Sequence, residues 1–194
     1  MIHNEDSRVK IPVLVHLSRL GYKYLSLKDS KWDESTNIFT DIFNESISRI
    51  NSKLQKHEIS SLIEKTYQSL DNKDLGQGFY NLLSSSSSGR LVDFDNFENN
   101  SLHVVTELPY KKDDEVFYPD ITLLVNGMPL VFIEVKKPNN RGGIQKEKDR
   151  MEVRFKNKKF SKFFNIIQFM IFSNNMEYDD SSIKPTQGAY YSSV

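Results

Sequence analysis

The chain has 194 residues, a length that suits one domain, or one domain with an appendage, and allows a sizeable buried core. Its 26 basic and 26 acidic side chains cancel, so net charge points to neither a nucleic acid nor a membrane, and the lack of cysteine excludes disulfides, thiolate zinc sites and cysteine nucleophiles. No apolar run approaches the roughly 18 residues that span a bilayer, and the opening residues do not resemble a signal peptide, so we expect a cytoplasmic protein.

The first ninety residues show mainly helical periodicity. The predicted elements, in chain order, are a helix over 6–20, a short strand over 22–27, a polar loop over 28–35, and helices over 38–54, 57–70 and 75–83. Gly21 is placed to stop the first helix, whereas Pro12 favours a start at Ile11 or a kink there. One of residues 35–37 is expected to cap the second helix, with Trp32 as its anchor.

Beyond the serine run at 84–89 the apolar spacing changes from about four residues to about two. We interpret the run as a loop within one domain rather than a linker. The predicted elements are strands over 102–108, 121–125, 130–135 and 166–172, a charged turn over 110–115, helices over 144–155 and 159–164, and an edge strand at 188–191. Strands interrupted by helices predict an α/β fold with a mixed central sheet flanked by helices. We divide the chain into a helical part over 1–90, a core over 91–180 and a tail over 181–194.

Three charged residues stand at the ends of a predicted hairpin. Asn126-Gly127 tolerates the positive φ angles of a tight turn, and apolar runs flank it on both sides. Folding about this turn brings Asp120, before the first strand, close to Glu134 and Lys136 at the end of the second. An otherwise buried hairpin has little structural reason to carry three charges there.

The three residues have the chemistry of a metal-dependent hydrolase. Mg²⁺ prefers oxygen ligands and keeps several waters, so Asp120 and Glu134, with the carbonyl of Val135, form a reasonable ligand set. Lys136 shares the side-chain direction of Glu134 and could orient or deprotonate a water and stabilise an anionic transition state. The alternative is that these are solvated charges at strand ends and a turn aspartate after proline.

Pro119-Asp120 together with Glu134-Val135-Lys136 resembles the Pro-Asp…(Asp/Glu)-x-Lys nucleases. The longer phrase PDITLLVNGMPLVFIEVKKP and the later IQFMIFSNN resemble the N-terminal nuclease domain of the restriction subunit of type I restriction-modification enzymes, over about residues 100 to 180. The resemblance implies a restriction-endonuclease-like core, preceded here by a helical part.

This resemblance also implies partners and cofactors. The site would use Mg²⁺ or Mn²⁺ to cut double-stranded DNA, and the chain would assemble with specificity and methyltransferase subunits. ATP would act only through a motor domain outside these residues, because no Gly-x-x-x-x-Gly-Lys-Ser/Thr motif occurs in the 194 residues. We therefore expect the sequence to be a fragment.

The sequence departs from the family pattern after the lysine. Many members carry Gln-x-x-x-Tyr on the next helix, where it supports the site and contacts DNA, but here Gln145 is followed four positions later by Asp149. Arg150 and Arg154 offer an alternative pair on one helical face that could grip phosphates. Their other interpretation is a solvated face paired with the acids at 147 or 152.

Other candidates are less specific. Glu5 or Asp6 could add an acid near the metal, whereas the four histidines lack metal-site spacing. Four lysines beside phenylalanines are either a footprint for the DNA backbone or a solvated face: Lys156, Lys158, Lys159 and Lys162. Two other functions stay open, namely a catalytically silent docking module of the same complex and a stand-alone nuclease of the same fold.

Overall fold

A computed structural model of the protein describes residues 9–87, 89–137 and 142–173 and the backbone of residues 190–193. The helices are α1 (Ile11–Arg19), α2 (Thr40–Ile50), α3 (Lys56–Leu70), α4 (Gln77–Ser84), α5 (Gly143–Phe155) and α6 (Ser161–Ile166). The strands are β1 (Lys23–Tyr24), β2 (Leu102–Thr106), β3 (Tyr110–Lys112), β4 (Glu115–Phe117), β5 (Ile121–Val125), β6 (Met128–Val135), β7 (Phe169–Ser173) and β8 (Tyr190–Ser193). Among these residues no helix is long and apolar enough to cross a membrane.

One six-stranded sheet, in the order β1-β2-β5-β6-β7-β8, organises the fold. The pairs β1–β2 and β6–β7 are parallel, and the other three pairs are antiparallel. The predicted α/β class with a mixed central sheet flanked by helices is therefore confirmed. Strand β8 pairs with β7 at the edge of the sheet, as expected, and includes residues 190–193, whereas residues 188 and 189 of the predicted strand lie outside the described residues.

The two faces of the sheet bury different helices. On one face, Val9 and Leu17 of the α1 region pack against Ile121, Ile133 and other strand residues. On the other face, side chains from α2 to α6 form a larger core with strand residues that include Phe132. Because strand residues alternate between faces, neighbours along β6 enter different cores. The division of the chain into a helical part, a core and a tail, with boundaries at residues 90 and 180, stays a prediction.

The predicted central hairpin is confirmed as β5 and β6. Asn126 and Gly127 have φ angles of 52° and 80°, as the two central residues of a tight hairpin turn require. Strand β6 begins two residues earlier than expected, at Met128, and includes Pro129. All five residues of β5 are buried, since helices cover the sheet on both faces.

The prediction for the start of the second helix is wrong. Helix α2 begins at Thr40 rather than residue 38, its N-cap is Phe39, and no side chain caps it. The amide of Phe39 donates instead to the carbonyl of Gly127, which ties the helix start to the hairpin turn. Trp32 does act as the expected anchor, with its ring centroid 5.7 Å from that of Phe39.

The expected strand over 22–27 is much shorter. Only Lys23–Tyr24 forms a strand, and the amide of Leu25 adds one more bond to the carbonyl of Val104. The chain then turns because the hydroxyl of Ser26 accepts the amide of Lys28 at the start of a 3₁₀ turn.

Residues 110–115, predicted as a charged turn, belong to a second hairpin made of β3 and β4. Tyr110 and Phe117 lie opposite each other in this hairpin, with stacked rings 5.4 Å apart. Both rings also meet the edge or face of Phe163 of α6. Packing against a helix that is distant in sequence therefore stabilises two strands that the charged local sequence does not predict.

Helix α2 also ends at residue 50 rather than 54, and the remaining boundaries differ by smaller amounts. Helix α1 begins at Ile11, one of the two expected outcomes, with Pro12 in its first turn. Helices α3, α4 and α5 match the predictions within two residues. Strand β7 starts at 169 rather than 166, because Ile166 ends α6 and Ile167 still donates its amide to Phe163.

Candidate active site

The ends of β5 and β6 bring together the three predicted catalytic residues. Ile121 pairs with Ile133, so one further step along the register places Asp120 opposite Glu134. The carboxylate of Asp120 accepts a 2.9 Å hydrogen bond from the amide of Val135. Strand alternation turns Glu134 and Lys136 to the same face as Phe132, the face that α5 covers.

The ammonium of Lys136 lies between the carboxylates. Its Nζ is 3.1 Å from Oε1 of Glu134 and 4.0 Å from Oδ2 of Asp120. The side chains of Lys136, Glu134 and Asp120 are only 16%, 13% and 25% exposed. Such burial argues against the interpretation of these residues as solvated charges at strand ends.

The environment shifts the pKa values of two residues of this group, Glu134 and Lys136. Burial, followed by the negative charge of Asp120, raises the pKa of Glu134 to about 7 against the opposing effect of Lys136. Burial alone would lower the pKa of Lys136, but the charge and hydrogen bond of Glu134, with the charges of Glu147 and Asp120, raise it. The site therefore combines a lysine whose protonated form is favoured with a glutamate whose ionisation is opposed by its surroundings.

Glu147 of α5 is a further acid at the site, and it was absent from the predicted site residues. Its Oε1 lies 3.6 Å from Nζ of Lys136, and its side chain is only 8% exposed. The signal in the sequence was the position of Glu147 on the same helical face as Ile144 and Met151, which are buried. A charged residue on the apolar stripe of a helix is a candidate for a buried contact.

The two predicted arginines both approach this cluster from α5. Arg150 pairs with Glu147, and its side chain remains 64% exposed at the rim. The guanidinium of Arg154 lies 4.4 Å from the ring centroid of Phe117, and burial lowers its pKa. Contacts of either arginine with DNA stay a prediction.

Gln145 does not join the cluster. Its amide nitrogen donates to the carboxylate of Asp149 at 2.8 Å, on the exposed side of α5. The pair that replaces Gln-x-x-x-Tyr is thus turned away from Glu134 and Lys136, and a DNA contact by Gln145 stays a prediction.

The backbone of Asp120 is held from the neighbouring strand. The amide of Glu107, which has a φ of 54°, donates to the carbonyl of Asp120 at 3.3 Å. Lys10, beside α1, forms a 2.7 Å ion pair with Glu107. The proposed further acids, Glu5 and Asp6, lie outside the described residues.

Two of the four clustered lysines make ion pairs within the protein. Lys159 contacts Asp114 at 2.8 Å and Glu115 at 3.0 Å, and Lys162 contacts Asp71 at 2.9 Å. For these two residues the pairs favour the interpretation as a charged, solvated face, and a DNA footprint that includes the other two lysines stays a prediction.

The donor set at the hairpin fits a hard divalent cation. Asp120 and Glu134 supply two carboxylates side by side, and Mg²⁺ needs no more than one or two of these when water and substrate oxygens complete its shell. Within residues 9–87, 89–137 and 142–173, no group of three His, Cys, Asp or Glu side chains forms a metal cluster. The role of the Val135 carbonyl as a ligand stays a prediction.

Comparison with known proteins gives a family match over most of the chain. The model of a family described as type I restriction enzyme R protein N terminus (HSDR_N) matches residues 2–179. A Methanocaldococcus jannaschii protein that carries the provisional name of endonuclease subunit of the type I restriction enzyme MjaVIIIP is 27% identical over 80% of this chain. The endonuclease subunit of the type I restriction enzyme HindI of Haemophilus influenzae is 30% identical over 64% of the chain. The matches span only 16% and 14% of the lengths of these relatives.

Proposed function

Because the chain belongs to the family of type I restriction enzyme R protein N termini, we propose that it is the endonuclease part of such a subunit and hydrolyses DNA phosphodiester bonds with Mg²⁺ or Mn²⁺. The observation that carries the proposal is the convergence of Asp120, Glu134 and Lys136 in one little-exposed cluster on a restriction-endonuclease-like sheet. The printed names of the relatives support a nuclease role.

In this proposal Asp120 and Glu134 hold the ion, with the Val135 carbonyl as a third donor. When bound, the ion supplies positive charge for the phosphate and lowers the pKa of a coordinated water. The amide of Val135 fixes the orientation of the Asp120 carboxylate through its 2.9 Å hydrogen bond. Glu134 has to lose its proton to act as a ligand, so its raised pKa makes the site sensitive to pH near neutrality.

Lys136 acts as a cation rather than as a base. Its raised pKa keeps the ammonium protonated at neutral pH, so it can donate hydrogen bonds to the attacking water and to a phosphate oxygen. A buried positive charge at this point stabilises the negative charge that develops on the phosphate in the transition state. Of the two roles expected from the sequence, the structure favours orientation and charge stabilisation over proton abstraction.

The remaining parts of the function lie outside this chain. We propose that double-stranded DNA reaches the site after ATP-driven translocation by a motor in the rest of the subunit, within a complex that includes specificity and methyltransferase subunits. The small share of the relatives that the chain spans is compatible with this division of labour. We also propose that Arg150 and Arg154, which lie near Glu147, contact DNA phosphates.

Calorimetric titration of Mn²⁺ tests the metal site. We expect wild-type protein to bind the ion and Asp120→Ala and Glu134→Ala to lose measurable binding, because each removes one of two carboxylate ligands. Asp149→Ala, which removes an exposed acid of α5, serves as the control and should bind like the wild type. Unchanged affinity in the two site variants would contradict the assignment.

A further inference from the structure

Among the described residues, Glu147 is the acid of the cluster that comes from outside the hairpin. It approaches Lys136 from α5, across the sheet face from Glu134, so the ammonium lies between acids of two different elements. The distances are 3.1 Å on the strand side and 3.6 Å on the helix side. A lysine has a flexible four-carbon stem and loses rotamer entropy when it is fixed, so two anchors define its position better than one.

The two anchors differ in what else they do. Glu134 is a proposed metal ligand, and a carboxylate whose charge is shared with a cation attracts the lysine less strongly. Glu147 is not a proposed metal ligand. Its Oε1 also pairs with Arg150, more closely than with Lys136, but the side chain of Arg150 is 64% exposed, so water screens part of that attraction. Glu147 can therefore keep hold of the ammonium while Glu134 is engaged.

The side chain of Glu147 is 8% exposed and is covered by Lys136 and Arg150, which leaves it no direct path to a bound DNA strand. Any effect of Glu147 on the reaction would thus pass through its neighbours, either by contact with Lys136 and Arg150 or by the effect of its charge on Glu134 and Arg154. Of the two residues in contact with it, only Lys136 belongs to the proposed catalytic group.

We propose that Glu147 is a positioning residue that holds the ammonium of Lys136 at the reacting phosphate and takes the structural place of the Gln-x-x-x-Tyr motif that α5 lacks. This inference rests on the proposed nuclease function. Gln145 and Asp149 lie on the exposed face of α5 and do not support Lys136, so we assign the supporting role to Glu147 on the buried face.

The test uses the full-length subunit assembled with its partner subunits, and compares Glu147→Gln, Glu147→Asp and Glu152→Gln. The Gln variant keeps the shape of Glu147 but removes its charge, and the Asp variant keeps the charge on a shorter stem. Glu152→Gln makes the same change on the exposed side of the same helix and is the matched control. The measured quantities are the single-turnover cleavage rate constant, the DNA affinity and the Mn²⁺ affinity.

We expect Glu147→Gln to lower the cleavage rate constant about 10- to 100-fold, as loss of a supporting contact commonly does, with both affinities changed less than about threefold. Glu147→Asp should recover part of the rate, and Glu152→Gln should match the wild type.

A cleavage rate of Glu147→Gln within about threefold of the wild type would overturn the inference. So would a parallel fall in Mn²⁺ affinity, or a loss of folding in both Glu147 variants, since each gives Glu147 a different role. Asp120→Ala is measured alongside. If that variant still cleaves DNA, the proposed function fails as a whole, whereas its loss of cleavage beside a fully active Glu147→Gln rejects only the positioning role.

Discussion

At the scale of single residues, Glu134 carries a charge that the metal-free fold disfavours. Its pKa rises from an ordinary value of 4.5 to about 7 because burial and Asp120 both oppose ionisation. Between these two values the folded protein binds more protons than the unfolded chain, so the free energy of unfolding falls as pH rises. This cost is fully present above about pH 7 and absent below about pH 4.5.

Glu134→Gln should therefore stabilise the protein in the absence of metal. At about pH 8 we expect an increase of roughly 1 to 3 kcal/mol in the free energy of unfolding, which shrinks toward zero near pH 4.5. Urea denaturation at several pH values in the presence of a chelator measures the difference. Glu152→Gln, on the exposed side of α5, should show no such pH dependence. If the free energy of unfolding changed with pH in the same way for wild type and Glu134→Gln, the surroundings of Glu134 would not oppose its ionisation.

The clustering of the three proposed catalytic residues could be predicted from the sequence because it depends on local spacing. Asn126-Gly127 fixes the turn, and the turn fixes which residues of β5 and β6 face each other. Glu147 was not assigned to the site, since its contact with Lys136 depends on how α5 rotates over the sheet, a property of tertiary packing. For the same reason, the position of Gln145 and Asp149 on the exposed side of α5 was not predicted.

At the scale of elements, the turn between β5 and β6 anchors the hairpin to the helical part. A β-carbon on Gly127 would lie 2.7 Å from the carbonyl oxygen of Phe39 and 2.8 Å from the amide nitrogen of Phe43. The neighbouring Asn126 is fully buried and donates to the carbonyl of Leu91 at 2.8 Å. The same turn thus aligns the catalytic strands and holds the first turn of α2.

Gly127→Ala should be strongly destabilising, because it combines a positive φ with a steric clash against backbone. We expect a loss of at least about 2 kcal/mol in the free energy of unfolding. Gly21→Ala, which has a positive φ but open space, should cost about 1 kcal/mol. Gly142→Ala, with neither feature, should change stability by less than about 0.5 kcal/mol. Denaturant titrations of the three variants measure these losses in the free energy of unfolding. Equal losses at all three sites would contradict this account of the turn.

Elements whose signal is periodic were predicted well, and elements that depend on distant contacts were not. The apolar stripes of α2 and α3 and the alternation around Asn126-Gly127 are local signals. Strands β3 and β4 instead depend on the packing of Tyr110 and Phe117 against Phe163, far away in the chain. The start of α2 was misplaced for the same reason, since Phe39 is held by the hairpin turn.

At the scale of the whole molecule, the sheet separates the site from α1. The candidate active site lies on the face that α5 covers, and α1 packs on the opposite face. With 26 basic and 26 acidic side chains, long-range attraction of DNA is not expected, so binding has to rely on local charge near the site. Among the described residues, Arg150, exposed beside Glu147, is a candidate source of such charge.

Arg150→Gln in the full-length subunit should weaken binding of duplex DNA and reduce the slope of log affinity against log salt by about 0.9, the value for one lost phosphate contact. Arg19→Gln, which removes an exposed arginine from α1, should leave both quantities unchanged. Fluorescence anisotropy over roughly 50 to 200 mM salt measures both. Equal salt slopes for wild type and Arg150→Gln would show that Arg150 does not contact a DNA phosphate.

The central claim of the proposed function is that the cluster around Lys136 cuts DNA and has no part in the ATP-driven translocation proposed for the rest of the subunit. The most direct measurement follows ATP hydrolysis and cleavage of closed circular DNA in one reaction, with the assembled full-length enzyme carrying Lys136→Ala. The account predicts that DNA cleavage is lost, by about 100-fold or more, while ATP hydrolysis continues at the wild-type rate. Cleavage at the wild-type rate by Lys136→Ala would contradict it.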